Sequence, residues 1–278
     1  MTIDIGKYGP WALVTGAAGG QGQEYARHLA ADGFNTILVD INLAPMEKLR
    51  DELLAQYKVE IKAAQVDLSK EDAVEQIIAA VGDEDIGLVI SNAGFGYKAI
   101  YEDVPYDMMM SYYYVNTRVP MQLMYKMVPC LKNRGRGGII LVGSMEGETH
   151  CPFSAVYGAT KAFIHKLGLS LYGELEGTNV DILVLAPGAT NTDAHETAGL
   201  KPEQAKSMMK SPVDVTRMAL QSLGKVPFLL TGDGDAERLE QMRTVPMKDA
   251  ILGTARHLAR YIETARPGAM TEYFKRFS

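Results

Sequence analysis

Seven short stretches of this chain are dominated by apolar residues and recur with helix-length segments between them. They are WALVT (Trp11–Thr15), NTILVD (Asn35–Asp40), IKAAQVD (Ile61–Asp67), GLVISN (Gly87–Asn92), GGIILVGS (Gly137–Ser144), DILVLAPG (Asp181–Gly188) and VPFLLTG (Val226–Gly232). A strand with one wet face alternates polar and apolar residues, whereas these runs do not alternate. Uniform runs belong to strands covered by helices on both faces. Between them, LAPMEKLRDELLAQY (Leu43–Tyr57) spaces its apolar residues for one side of a helix. Strand, helix, strand, repeated, predicts an α/β fold built as a doubly wound parallel sheet of about seven strands, helices on both faces.

No linker-like or low-complexity stretch interrupts the pattern, so residues 1–278 read as a single domain. Two segments fall outside the alternation: the polar run Ala189–Lys210 and the tail from Met247 to Ser278, which opens as a helix. In open α/β sheets the ligand sits beyond the carboxyl ends of the strands. Both segments are therefore candidates for walls of a cleft, the second as a C-terminal helical extension over it. Composition removes other classes. With 47% hydrophobic residues there is material for a large core, and a net charge of −6 lacks the basic face that nucleic acid requires. No apolar run reaches membrane-span length, the start has no signal-peptide core, and two cysteines, Cys130 and Cys151, make no disulfide framework. The expectation is a cytoplasmic protein.

The first strand runs into TGAAGGQGQEYA, with glycines at Gly16, Gly20 and Gly22 and an extra one at Gly19. Such a turn lets backbone approach a pyrophosphate while the next helix offers its unpaired N–H groups. The second strand ends in Asp40, 24 residues after Gly16. A carboxylate there accepts from an adenosine ribose and repels a 2′-phosphate, and no Arg or Lys stands in the glycine loop or just after Asp40. NAD is favoured over NADP. Asp67 has two readings, an acceptor for the adenine amino group or a cap paired with Ser69. Small residues close other strands, at Asn92, Ala93 and Gly94 and at Pro187 and Gly188, where a cofactor can lie against the backbone.

In SAVYGATKAF, Tyr157 and Lys161 stand at i and i+4 on one helix face, about 6 Å apart along the axis. Alone, the pair is ordinary helix decoration. Ser144, ending the fifth strand, would be carried beside Tyr157 by a direct strand-to-helix connection, and Asn116 in YVNTRVP lies on an earlier helix. From Trp11 to about Leu230 the chain resembles the short-chain dehydrogenase/reductase family, with T-G-x-x-x-G-x-G, N-A-G, Ser, Y-x-x-x-K and P-G in family order. The resemblance implies a Rossmann-type fold and four roles. Tyr157 is the general acid/base, Lys161 lowers its pKa and binds the nicotinamide ribose, Ser144 hydrogen-bonds the reacting oxygen, and Asn116 holds a relay water. It also implies that Leu68, Thr190 and Thr192 join Gly16, Gly20, Gln21, Gly22, Asp40, Asp67, Asn92, Ala93, Gly94, Pro187 and Gly188 around NAD(H). Gln21 departs from the family, replacing an aliphatic residue near the nicotinamide, and Ser91 replaces a common Asn.

The glycine-loop segment from Gly6 and the terminal MTEYFKRF resemble bacterial hydroxysteroid dehydrogenases of the gut type. Within that group Asp40 speaks against the NADP-preferring 7β-acting bile-acid enzymes and toward NADH-dependent 20β-reduction of cortisol-type steroids. Met145, Thr149, His150 and Phe153, between Ser144 and Tyr157, are candidates for the cleft lining. So are some methionines among Met108, Met109, Met110, Met208, Met209, Met242 and Met247, although most are explained as core filler. His195 and the remaining histidines are expected at the surface. The resemblance further implies a homotetramer through the helices of Asn116 and Tyr157; the apolar stripe Leu167, Leu171 and Leu175 reads either as a surface for it or as packing wholly within the subunit. Other readings are a reductase of 3-oxoacyl thioesters or sugars, or a nucleotide-sensing regulator without catalysis. The acyl-carrier version would want a basic patch, and a regulator could dispense with Tyr157 or Lys161.

Overall fold

The computed structural model describes residues 2–192 and 209–259. All seven expected strands form, and they lie in one parallel sheet of order β3-β2-β1-β4-β5-β6-β7. They are β1 (Trp11–Thr15), β2 (Asn35–Asp40), β3 (Ile61–Gln65), β4 (Ile86–Ser91), β5 (Gly137–Val142), β6 (Val180–Ala186) and β7 (Phe228–Leu230). β1, β4 and β5 are buried along their whole length, which explains why their sequences do not alternate. β3 at one edge shows a wet face, and β7 at the other is short and only partly buried. Both are usual ways of blunting a sheet edge.

The helices are α1 (Ile5–Tyr8), α2 (Gly20–Ala31), α3 (Leu43–Gln56), α4 (Ala73–Val81), α5 (Tyr106–Tyr113), α6 (Val119–Arg134), α7 (Ala155–Glu174), α8 (Pro212–Ser222), α9 (Asp235–Thr244) and α10 (Met247–Leu258). They divide between the two sheet faces. Alternate residues of β1 show it: Ala12 and Val14 join α2, α3 and α8 in one apolar cluster, and Leu13 joins α4, α6 and α7 in the other. α2 buries Gly22, Tyr25, Ala26, Leu29 and Ala30, the i, i+3, i+4, i+7, i+8 stripe of an amphipathic helix. Leu175 lies in the second cluster and Leu167 and Leu171 pack against it, so that stripe is internal and is not the surface for a partner subunit.

Strand order reverses between β1 and β4, whose neighbours lead outward in opposite directions. A crevice opens at such a switch point, and here its floor is tied together. The Thr15 hydroxyl accepts from the backbone N–H groups of Asn92 and Ala93, both at 3.1 Å. The Asn92 amide in turn donates to the carbonyls of Thr15 (3.0 Å) and Gly16 (3.2 Å). Gly16 has φ +69°, which L side chains rarely adopt, and a β-carbon on it would stand 2.8 Å from the Cα of Ala93. A methyl on Gly22 would press into the Gly16 carbonyl. Gly22→Ala should therefore destabilise the chain by about 1–3 kcal/mol by forcing β1 and α2 apart. Thermal unfolding checks this, and dinucleotide titration should show weakened binding.

Candidate active site

One cleft of about 1220 Å³ lies over the switch point. Its size exceeds the roughly 300–1000 Å³ of a single-ligand pocket, giving space for a dinucleotide and a second molecule. Of the residues expected around the cofactor, all except Gly22 line it: Gly16, Gly20, Gln21, Asp40, Asp67, Leu68, Asn92, Ala93, Gly94, Tyr157, Lys161, Pro187, Gly188, Thr190 and Thr192. Gly22 serves from beneath, through its contact with Gly16.

The nucleotide end fits a dinucleotide. Gly19 would meet nothing within 4 Å if it carried a β-carbon, so the backbone at the start of α2 is open to the cleft. Asp40 holds its carboxylate with two backbone donors, Ala18 N–H at 3.1 Å and Asn42 N–H at 3.0 Å. Asp67 makes the expected pairing with Ser69 and stands on the cleft wall. Its carboxylate accepts from the Ser69 N–H (2.9 Å) and hydroxyl (2.7 Å), and it also faces the cleft. The Ser69 hydroxyl, with Lys70 nearby, holds the carboxyl below the usual range. Gln21 lines the cleft with a buried Oε1 that has no hydrogen-bond partner among the described residues. It offers an acceptor where the family usually presents hydrocarbon.

At the other end stand Ser144, Tyr157 and Lys161. The turn Met145–Gly147 begins at Ser144, whose hydroxyl accepts from the Glu146 N–H at 3.2 Å, and Met145 N–H donates to the Pro187 carbonyl at 2.9 Å. The ends of β5 and β6 are thereby joined beneath the serine. The Tyr157 and Ser144 side chains hydrogen-bond to each other. Lys161 is buried, donates to the Val142 carbonyl at 2.9 Å, and sits 5.7 Å from the centroid of the Tyr157 ring. Burial brings its ammonium down to about 8, against an opposing pull from Glu146. Burial, followed by the Glu146 carboxylate, raises the Tyr157 hydroxyl above its ordinary value, and the Ser144 hydrogen bond works the other way.

Asn116 lies in a single π-helical turn, Tyr114–Arg118, between α5 and α6. π-turns re-aim side chains and are frequent at functional sites. Its amide donates to the Phe95 carbonyl (2.9 Å) and the Thr160 hydroxyl (3.0 Å), and its oxygen accepts from Phe95 N–H (3.1 Å). A β-carbon on Gly94 would meet both Lys161 Nζ at 2.9 Å and Asn116 Oδ1 at 3.2 Å, which places the two groups on either side of one glycine.

Several expectations are corrected. His150 is exposed and, like Phe153, is not part of the lining, whereas Met145 and Thr149 are. Met209 and Met242 line the cleft and Met247 is exposed; Met208, His195 and the MTEYFKRF tail fall outside the described residues. The surface expectation fails for His165, which is 2% exposed. Its Nδ1 meets the Glu148 carboxylate at 2.8 Å, and its Nε2 accepts from the Ser144 N–H at 3.4 Å. Nε2 can accept only in the neutral ring, and burial, the leading influence, holds the ring below its usual pKa. The ring lies where β-carbons on Gly143 and Gly147 would stand, so those two glycines make its slot around Ser144. The i+4 spacing from Lys161 was the signal for this burial. Lys98, Glu146, Asp235 and Arg238 also line the cleft, and they come from loops and helices with no motif spacing to announce them. Asp235, at the start of α9, is buried and packs against Gly188 and Gly232.

A glycine turn on a doubly wound sheet, with a serine, a tyrosine and a lysine converging at its far end, defines an oxidoreductase of nicotinamide-dependent type. The chain belongs to the short chain dehydrogenase family, which it matches across residues 10–203. It resembles bacterial hydroxysteroid dehydrogenases. It is 31% identical over 245 residues to a 7β-hydroxysteroid dehydrogenase of Clostridium sardiniense, covering 88% of this chain and 94% of that one. A solved structure from work on 7β-hydroxysteroid dehydrogenase stereoselectivity superposes with a TM-score of 0.84 at 26% identity, over 90% of this chain and 98% of the other. A short-chain dehydrogenase from Sphingobium yanoikuyae in complex with NADPH gives 0.74 at 25%, over 86% and 96%.

His165→Ala should destabilise the protein by about 1–3 kcal/mol, the cost of leaving a buried N–H and its surroundings unpaired. It should also lower kcat more than it raises KM, because the Ser144 turn loses its support. Thermal unfolding and steady-state kinetics on the same preparation check both.

Proposed function

We propose that this chain is an NAD(H)-dependent hydroxysteroid dehydrogenase that interconverts a ketone and a secondary alcohol on a steroid. The observation that carries the reading is the meeting of Tyr157, Ser144 and Lys161 on the wall of a cleft large enough for two ligands. Bound there, the nicotinamide supplies or accepts the hydride. The residues of the chain handle the oxygen and its proton. Ser144 donates a hydrogen bond to the carbonyl oxygen, since the Glu146 N–H occupies a lone pair and leaves its hydroxyl proton free to be aimed. Tyr157 gives that oxygen its proton during reduction and takes it back during oxidation. Lys161 holds its charge against the phenol face and stabilises the anion left behind. Asn116 keeps one Oδ1 lone pair for a water beside Lys161.

Asp40 supports NAD over NADP. Its two backbone donors fix the carboxylate at the end of β2, where it would repel a 2′-phosphate. The favoured reaction is 20β-reduction of a cortisol-type side chain. A second reading, 7β-acting on bile acids, is supported by the activity named for the relatives and by Arg238 on the cleft wall, a cation suited to a carboxylate tail. The reading also takes the protein as a cytoplasmic homotetramer. Met121 and Tyr125 on α6 and Leu169 and Tyr172 on α7 leave exposed apolar surface for such contacts. No described helix is long and apolar enough to cross a membrane.

Cortisol and 7-oxo bile acids, each offered with NADH and with NADPH and followed by absorbance, test the assignment. Turnover of cortisol with NADH is expected; turnover of neither steroid class overturns it. Tyr157→Phe should lose at least about a hundredfold in kcat while NADH still binds by fluorescence titration. Asp40→Ala should narrow the NADH over NADPH preference by about tenfold or more, as removal of a charge worth over about 1.4 kcal/mol implies. Reductive turnover should hold through neutral pH and fall as pH rises through about 8, where Lys161 loses its proton.

A further inference from the structure

Two cations, not one, stand over the phenol. Lys161 reaches the Tyr157 ring from its own helix at 5.7 Å, and Lys98, on the loop after β4, sits 6.0 Å from the same ring centroid. The Lys98 side chain is 12% exposed and forms an ion pair with Glu146 Oε1, with the Ser154 hydroxyl at 3.3 Å. Glu146 follows Ser144 by two residues and its N–H orients the serine hydroxyl. Its other carboxylate oxygen is buried without a hydrogen-bond partner among the described residues. Lys98, Glu146, Ser144, Ser154 and Tyr157 all line the same end of the cleft.

We propose that the Lys98–Glu146 ion pair is a positioning element of the reaction, in which the carboxylate opposes and the ammonium supports the loss of a proton from Tyr157. The inference rests on the reading of Tyr157 as the acid/base group and extends it to residues outside the family motif. An ion pair at a solvated surface has little effect on its neighbours. This one is held on the wall of the cleft, where water screens it less. The Glu146 carboxylate acts on Tyr157, and it bears on Lys161 as well. Lys161 from α7 and the Cys151 thiol from the preceding loop, which burial pushes up to about 11, also face the phenol. Behind Lys161 stand His165 and Glu148. The arrangement keeps Tyr157 protonated, ready to donate, while Lys98 limits how far the carboxylate pushes it.

Opposite charges on one ring predict opposite displacements. In oxidation of 20β-dihydrocortisol, or of ursodeoxycholate if bile acids are the substrate, the rising limb of the pH profile reports the deprotonation of Tyr157. Glu146→Gln should move that limb down by about 1 pH unit and Lys98→Met should move it up by a similar amount. The double substitution should return close to the wild-type position, and Lys98→Arg should retain it. The same order should appear without substrate or dinucleotide. There the readout is near-ultraviolet absorbance of tyrosinate, taken as the difference between each protein and its Tyr157→Phe counterpart, with Glu146→Gln ionising at lower pH than wild type. Displacement of both single variants in the same direction, or of neither, overturns the proposal. So does loss of rate at every pH with the limb unmoved, the mark of a purely structural pair. Retained turnover in Tyr157→Phe would overturn the reading of the tyrosine itself, and the tyrosinate titration would then still report whether the pair acts on the phenol.

Discussion

The junction of β1 and β4 governs everything above it. Neighbouring strands leave in opposite directions there, so no helix can cross the gap and a crevice must open. Thr15 and Asn92 close its floor with four hydrogen bonds between side chains and backbone. Those bonds also satisfy polar groups that would otherwise be left unpaired at buried strand ends. With that seam in place, the glycine turn lies against Ala93 on one side and β5 can deliver Ser144 on the other. A cleft built this way takes its shape from the sheet, which is why its functional groups stand at strand ends.

The electrostatics of the far end follow from burial. A lysine that is 3% exposed needs compensation, and it finds the Val142 carbonyl and the pull of Glu146. Desolvation acts in opposite senses on the two partners. It lowers Lys161 and raises Tyr157, because in each case it disfavours the charged form. The pair therefore sits with the phenol protonated and the ammonium close to neutral-pH titration. That state is suited to giving a proton to a ketone oxygen. Running in reverse requires added positive charge near the ring, and Lys98 is one such group already in place.

Much of this is legible in the sequence. Strand boundaries fell within a few residues, because uniform apolar runs ending in Gly, Asn, Asp or Ser have few alternatives. β3 closed earlier than read, at Gln65, since Asp67 is drawn into a turn with Ser69. The serine, tyrosine and lysine carried spacing that one helix and one strand end translate directly into proximity. His165 was misread as a surface residue although it shares the face of Lys161, because histidine has no fixed preference for burial. The leucines Leu167, Leu171 and Leu175 read either as a surface for a partner or as internal packing, and they face the core. Periodicity identifies a helix face without saying what lies opposite.

By itself, then, the order of residues determined the alternation of strand and helix, the glycine turn and the local partners of Tyr157. These depend on neighbours only a few positions away. Tertiary structure alone decided that Lys98 meets Glu146 across 48 residues of chain, that His165 braces Ser144 in a slot of two glycines, and that Asp235, Arg238 and Met242 close the cleft. Contacts of that kind depend on how loops leave a finished sheet. No periodicity within either segment records where the other will stand.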